Sequence, residues 1–170
     1  AQAEQQELSV VSTAKRKAFA YITHGDRLLV FSHPLAPDAG IQVPAGTMRD
    51  GEQPEDAVLR EAAEETGLTD LVLVRYLGEQ RYDMTDFGWD EVHHRHFYHL
   101  RCTGEPPDVW RNYEPDPADG GELPLFELFW AQLPDGVPEL IADHGALLPP
   151  LIHHLGADGL LCSDVLSPET

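Results

Sequence analysis

Positive charge is scarce in this chain. Lys and Arg number 11 against 30 Asp and Glu in 170 residues, a net charge of −19. Such a mean field repels polyanions, so general nucleic-acid binding is not expected. A small phosphorylated substrate remains open where a divalent cation or local arginines offset the field. The excess acidity otherwise reads as an aid to solubility. Cysteine is scarcer still: Cys102 and Cys162 form neither a zinc spacing nor a disulfide framework. Both read as small buried hydrophobes, and a cytoplasmic, reducing setting is expected. No apolar run approaches the ~20 residues of a membrane helix, and residues 1–6 carry no apolar signal-peptide core. Neither a membrane partner nor a secretory route is therefore expected. No internal repeat or linker divides the chain, whose length suits one domain. That domain is expected over 15–170, behind a polar, flexible N-terminal arm at 1–14. No oligomer seam is visible, and monomer and homodimer both stay open.

What is there alternates between strand and helix signals. Residues 18–23 and 27–31 are apolar-rich, with His24-Gly25-Asp26 as turn chemistry between them, which predicts a hairpin. Pro34, Pro37 and Gly40 punctuate a loop, and 41–43 reads as a short strand stopped by Pro44. A helix is predicted over 54–66, with Pro54 suited to its first position and Gly67 to its C-terminal cap. Strands are predicted over 71–77, 94–102 and 125–132, with a hairpin tip between the first two. The Pro- and Gly-rich stretch 104–124 reads as one long loop of the kind that often carries function. A final helix is expected over 146–154, although Pro149 and Pro150 interrupt its pattern. This order suggests a mixed sheet with helices on its faces.

The helix over 54–66 carries the chemistry. At 100° per residue, Leu59, Ala62, Ala63 and Thr66 form one stripe, and Glu61, Glu64 and Glu65 point the other way. Side chains at i+3 and i+4 are neighbours, so these carboxylates repel one another. A hard divalent cation turns the same oxygens into ligands. Three glutamates alone describe an ordinary solvated acidic face. The wider pattern fixes seven identities: Gly46, Glu52, Arg60, Glu61, Glu64, Glu65 and Gly67. At average usages of roughly 6% each, a chance match in a chain this long is below about one in a million.

This pattern resembles the signature of the Nudix superfamily: Gly, five residues, Glu, seven residues, Arg-Glu, a bulky apolar residue, any residue, Glu-Glu, any residue, Gly, bulky apolar. Ala62 is the soft departure, standing where a larger aliphatic residue is usual. The resemblance covers 46–68 strongly and, through the order of elements, about 15–140 more weakly. It implies an α/β/α sandwich around a mixed sheet, with magnesium-dependent hydrolysis of a diphosphate linkage in a nucleoside diphosphate derivative. Such a derivative is a nucleotide sugar, a dinucleoside polyphosphate or a nucleoside triphosphate. Glu61, Glu64 and Glu65 would hold Mg²⁺ or Mn²⁺, with the backbone carbonyl of Ala45 as a further ligand. Glu61 or Glu64 would take the proton of the attacking water. Arg60 would pair with Glu52, and Gly46 and Gly67 would permit the tight chain path at either end of the motif. The same architecture also serves non-catalytic nucleotide or nucleotide-sugar sensors, and prenyl diphosphate isomerases that use a Cys acid.

The remaining candidates lie outside that signature. A further acidic ligand from a distant loop points to Glu114, with Asp116, Asp119 and Glu122 beside it. Phe19, Tyr82, Trp89 and Tyr98 are candidates for stacking on a base, and Arg49, Arg81 and Arg95 for contacting phosphate. His94 and His96 share one face of their strand, a spacing that binds zinc if a third ligand is present. Pro44-Ala45-Gly46 is similar to the lead-in of nucleoside diphosphate sugar members. Their downstream Pro is absent, with Met84 in that neighbourhood, and Tyr82 falls short of the Tyr position of dinucleoside polyphosphate members.

Overall fold

The computed structural model describes residues 14–113, 125–157 and 159. Strand β1 (Ala14–His24) turns through Gly25 into β2 (Arg27–Ser32), as the sequence suggests. β3 (Ala45–Thr47) leads into helix α1 (Pro54–Thr66), followed by β4 (Leu71–Asp83), β5 (Val92–Cys102), β6 (Val109–Tyr113), β7 (Leu125–Gln132) and helix α2 (Leu148–Ala157). The strands form one seven-stranded sheet in the order β4-β5-β1-β2-β7-β6, with β3 joined to β1 off that path. β1 and β5 run parallel and the other pairs antiparallel, so the sheet is mixed.

Side-chain alternation along the central strands divides the core into two layers. Ala18, Ala20 and Ile22 of β1, with Leu100 of β5 and Leu128 of β7, pack under Ala57, Val58 and Ala62 of α1. Phe19 and Tyr21 of β1, with Leu28, Val30 and Phe97, pack on the opposite face under Leu151 and Leu155 of α2. The result is the expected α/β/α sandwich. Ala62 is fully buried. The small residue in the motif therefore sits at the helix–sheet contact.

Three local expectations are corrected. The strand expected at 41–43 is reduced to isolated bridges, Phe31 with Gln42 and Ile41 with Leu140. The regular pairing begins after Pro44, because Ala45–Thr47 lies against Lys17–Phe19 while the far half of β1 pairs with β2. The stretch 104–124 is not loop throughout. Val109–Tyr113 is an edge strand on β7 with alternating exposure. Its prolines flank the strand rather than interrupt it. Finally, α2 begins at Leu148, placing Pro149 and Pro150 in the first turn. Their missing N–H groups have no intrahelical partner there, so the prolines mark the start of the helix. Among the described residues no helix is long and apolar enough to cross a membrane.

Candidate active site

The loop between β3 and α1 is held to the helix by one arginine. Arg60 Nε and Nη2 each donate to the Glu52 carboxylate at 2.9 Å, and the Arg49 amide donates to the same carboxylate at 2.9 Å. These bonds favour the charged form: Arg60 first, then the Arg49 amide, hold the Glu52 carboxyl down at about 2. Arg60 Nη1 also reaches Glu61 Oε2 at 2.6 Å and Glu64 Oε1 at 3.7 Å. One guanidinium thus braces the loop and draws two helix carboxylates together.

Gly46 explains how Glu61 can sit where it does. A Cβ at position 46 would overlap the Glu61 carboxyl group. The glycine is required by this close approach, whereas Gly67 is required by its backbone, at φ 78° just past the helix. Burial pushes the Glu61 carboxyl up, while Arg60 pulls it back.

Glu65 lies deeper than the other two motif glutamates. It is buried, and its Oε1 accepts from the Ala45 amide at 3.0 Å. The acidic face of α1 turns toward β3, and the packed stripe runs instead through Ala57, Val58, Ala62 and Thr66. Leu59 is only partly buried. β6 closes the end of the helix: Asn112 Nδ2 donates to the Glu64 and Glu65 carbonyls at 3.1 and 2.9 Å, and Trp110 Nε1 donates to the Thr66 carbonyl at 2.8 Å. These contacts satisfy carbonyls that a helix end leaves without intrahelical partners.

On the other side of Ala45 and Gly46 lies a cavity of about 370 Å³, within the size range of small-molecule sites. Phe19, Met84, Phe87, Trp89, His93 and Arg95 contribute to its lining, with Lys17 at the end nearest the motif and His144 at the back. Phe87 and Trp89 are exposed aromatics from the β4–β5 connection. Lys17 donates to Thr47 Oγ1 at 2.7 Å. Burial pushes its ammonium down, as does Lys15, against the opposing pull of Glu91, Glu61 and Glu65.

Arg95 is the unusual member of this lining. It is 1% exposed and lies between the rings of Phe19 and Tyr82, with its guanidinium carbon 4.8 and 4.3 Å from their centres. Its Nη1 donates to the Ala142 carbonyl at 2.6 Å. Among the described residues it forms no salt bridge, and its buried Nε has no acceptor. Burial pushes this group down to about 10. His93 Nδ1 is likewise buried without a partner. Arg95 Nη1 also reaches Gln80 Oε1 at 3.3 Å, and a buried guanidinium with no carboxylate partner suits an anionic group in the pocket.

The sequence candidates divide by strand face. Arg95, Phe19 and Trp89 line the cavity, and Tyr82 covers Arg95. Tyr98 is buried in the α1-side layer, beside Tyr76, and does not line the cavity. Arg81 is exposed and registers opposite His94, on the face away from the cavity. Arg49 is exposed on the motif loop, with its amide bound to Glu52. Glu114, Asp116, Asp119, Glu122 and Cys162 lie outside the described residues. Cys102 is buried in the α1-side layer and does not line the cavity. Lys17 and His144 were not singled out from sequence. Lys17 ends the basic run Lys15-Arg16-Lys17 and alternates with Phe19 and Tyr21, which was a signal, whereas His144 arrives from a distant loop with no pattern to mark it.

His144 gives the fold a pH dependence. Its Nδ1 accepts from the Val43 amide at 3.3 Å, and burial pushes its imidazole down to about 3 from an ordinary 6.5. The native ring is therefore neutral where the unfolded ring is protonated. Stability is full above about pH 6.5 and declines as pH falls toward 3, by at most about 1.4 kcal/mol per pH unit from this group. Urea midpoints of wild type and His144→Gln, compared at about pH 7.5 and about pH 5, should show the smaller acid loss in the variant. Equal losses would remove His144 from the account.

The NUDIX domain model matches residues 13–148. The chain therefore belongs to the Nudix hydrolase family, as an enzyme of the pyrophosphohydrolase class. The fold is similar to that of an Ap4A hydrolase from C. elegans, at TM-score 0.61 and 18% identity over 84% of this chain and 98% of that one. A UDP-X diphosphatase superposes at TM-score 0.58 and 15% identity, over 91% of this chain and 72% of that one. A MutT NUDIX hydrolase from Burkholderia pseudomallei does so at 0.56 and 24%, over 81% and 98%. At these identities the likeness concerns the fold. No curated protein matches the chain in sequence.

Proposed function

We propose that the protein hydrolyses the diphosphate linkage of a nucleoside diphosphate joined to another group, with Mg²⁺, or Mn²⁺ in its place, held at the motif glutamates. The observation that carries this reading is the junction at β3. Its Ala45 amide is bound to Glu65 and its Gly46 lies against Glu61, while the same two residues form one wall of a cavity containing an unpaired buried arginine. The similarity in fold to a UDP-X diphosphatase and an Ap4A hydrolase agrees with it.

Glu61, Glu64 and Glu65 offer only hard carboxylate oxygens, and the Ala45 carbonyl would add another, a donor set suited to Mg²⁺. When bound, the ion supplies charge neutralisation at the diphosphate oxygens. The chain's own residues do the rest. Glu64 is the most exposed of the Arg60-linked carboxylates, with its side chain 40% exposed and held only loosely, which leaves it free to accept a proton from water. Lys17 and Arg95 attract the anionic part of the substrate, and Phe87 and Trp89 offer faces for a base to stack on. Phosphoryl transfer depends mainly on such positioning and charge stabilisation. A single domain over 15–170 in a reducing cytoplasm, as monomer or homodimer, completes the reading; the buried Cys102 thiol agrees with that setting.

The test is turnover of a panel of nucleotide sugars, dinucleoside polyphosphates and nucleoside triphosphates, with Mg²⁺ and with chelator. Metal-dependent release of a nucleoside monophosphate is expected from at least one class. Tight binding without product would favour a sensor and overturn the enzymatic reading. On the best substrate, Arg95→Met should raise KM about 10- to 100-fold, the equivalent of losing a hydrogen bond to a charged group worth ~1.5–3 kcal/mol. An unchanged KM would take Arg95 out of substrate binding.

A further inference from the structure

The sheet face turned away from the cavity carries a second cluster. Glu79, His94 and His96 each present a ligand atom, and these atoms lie within 4.8 Å of one another. The imidazole centres of His94 and His96 are 4.5 Å apart. His94 Nε2 hydrogen-bonds to Glu79 Oε1 at 2.5 Å, and His96 Nδ1 to the Tyr76 hydroxyl at 3.2 Å. The sequence places the two histidines on one face; the missing third ligand comes from the neighbouring strand.

A β-bulge assembles it. Glu79 registers opposite His96, whereas Tyr76 registers opposite Tyr98, with a shift between Tyr76 and Gly78. In a regular strand, residues three apart point to opposite faces. The extra residue brings Tyr76 and Glu79 to the same face, beside both histidines. Glu79 can then reach directly across to His96 and diagonally to His94.

We propose that Glu79, His94 and His96 form a binding site for a divalent transition-metal ion, zinc before others, separate from the magnesium site at α1. Two imidazoles and a carboxylate are a zinc ligand set, and water completes a tetrahedral arrangement at this partly exposed position. Magnesium favours all-oxygen ligands, so the two sites select different ions by ligand chemistry. In the tautomer whose Nδ1–H donates to Tyr76, Nε2 of His96 keeps the lone pair that a metal needs, and Tyr76 fixes the ring. The N–H that His94 Nε2 directs at Glu79 would move to Nδ1 when the ion enters, which leaves Nε2 with the lone pair a ligand needs. Arg16 and Glu55, of opposite charge, flank the cluster. The ion would clamp β4 to β5 directly behind His93 and Arg95, which face the cavity from the other side of β5. Its ligands are independent of the motif glutamates.

The experiment is calorimetric titration of metal-free protein with Zn²⁺ in excess Mg²⁺. It is applied to wild type, to Glu61→Gln/Glu64→Gln, and to Glu79→Gln and His96→Gln. Glu79 is 60% exposed, so its variant tests the ligand set with little effect on folding. One zinc per chain is expected in wild type and in the double variant. Affinity should fall at least tenfold in Glu79→Gln and His96→Gln, and Tyr76→Phe should weaken it about 10-fold or more as loss of the orienting partner. The proposal is overturned if zinc binding disappears with Glu61 and Glu64, or survives unchanged without Glu79 and His96.

Discussion

Glu64→Gln is expected to lower kcat by about 10²–10⁴-fold, the usual contribution of a positioned acid or base. The substitution keeps the shape of the side chain and removes its charge and its basicity. Arg60 stays in place, because its shortest bonds are to Glu52 and Glu61 at 2.6–2.9 Å, whereas Glu64 stands at 3.7 Å. Helix α1 should keep its stability, since the Glu64 side chain is 40% exposed and the packed stripe does not include it. The loss should therefore appear in kcat with an unchanged melting temperature. Wild-type turnover in Glu64→Gln would contradict the role given to this carboxylate. A matching fall in melting temperature would assign the effect to folding instead.

Gly46→Ala is expected to reduce kcat/KM by about 10²-fold, although it adds one methyl group and leaves every carboxylate present. The methyl would fall on the Glu61 carboxyl, so either that side chain or β3 must move. A displacement of about 1 Å at a reacting centre is enough for a loss of this size. β3 also forms one wall of the cavity, so its movement would disturb both halves of the site. Gly67→Ala offers the contrast. Its strain is in the backbone, at φ 78°, and its effect should appear mainly as a modest loss of stability. If Gly46→Ala retained full activity, the close packing of Glu61 against β3 would have no functional weight.

How much of this was legible beforehand depended on the range of the interactions concerned. Helix α1 could be read to its ends because Pro54, Gly67 and the spacing of its glutamates are local signals. The Glu52–Arg60 brace followed from the family resemblance, and the structure has it as an ion pair. The burial of Glu65 was not legible, because it depends on where β3 runs beside the helix, and β3 itself was expected a few residues too early. β6 was hidden among prolines, and only its pairing with β7 and the caps from Trp110 and Asn112 reveal it as part of the site. That Arg81 and Tyr98 lie away from the cavity has a simpler cause. Strand alternation divides neighbouring residues between two faces, and sequence alone did not say which face carried the cavity. The same alternation places Arg95 in the pocket and His94 and His96 behind it.

The most direct test of the central claim, that the glutamates of α1 cut a diphosphate linkage by holding a divalent ion, is a Mg²⁺ titration of turnover. Metal-free wild type and Glu65→Gln would be compared on the best panel substrate, with products followed by phosphorus NMR. The account predicts no turnover without metal, saturable activation of wild type by Mg²⁺, and a higher Mg²⁺ requirement with lower maximal rate in the variant. Turnover that persists without metal, or identical Mg²⁺ curves for the two proteins, would contradict it.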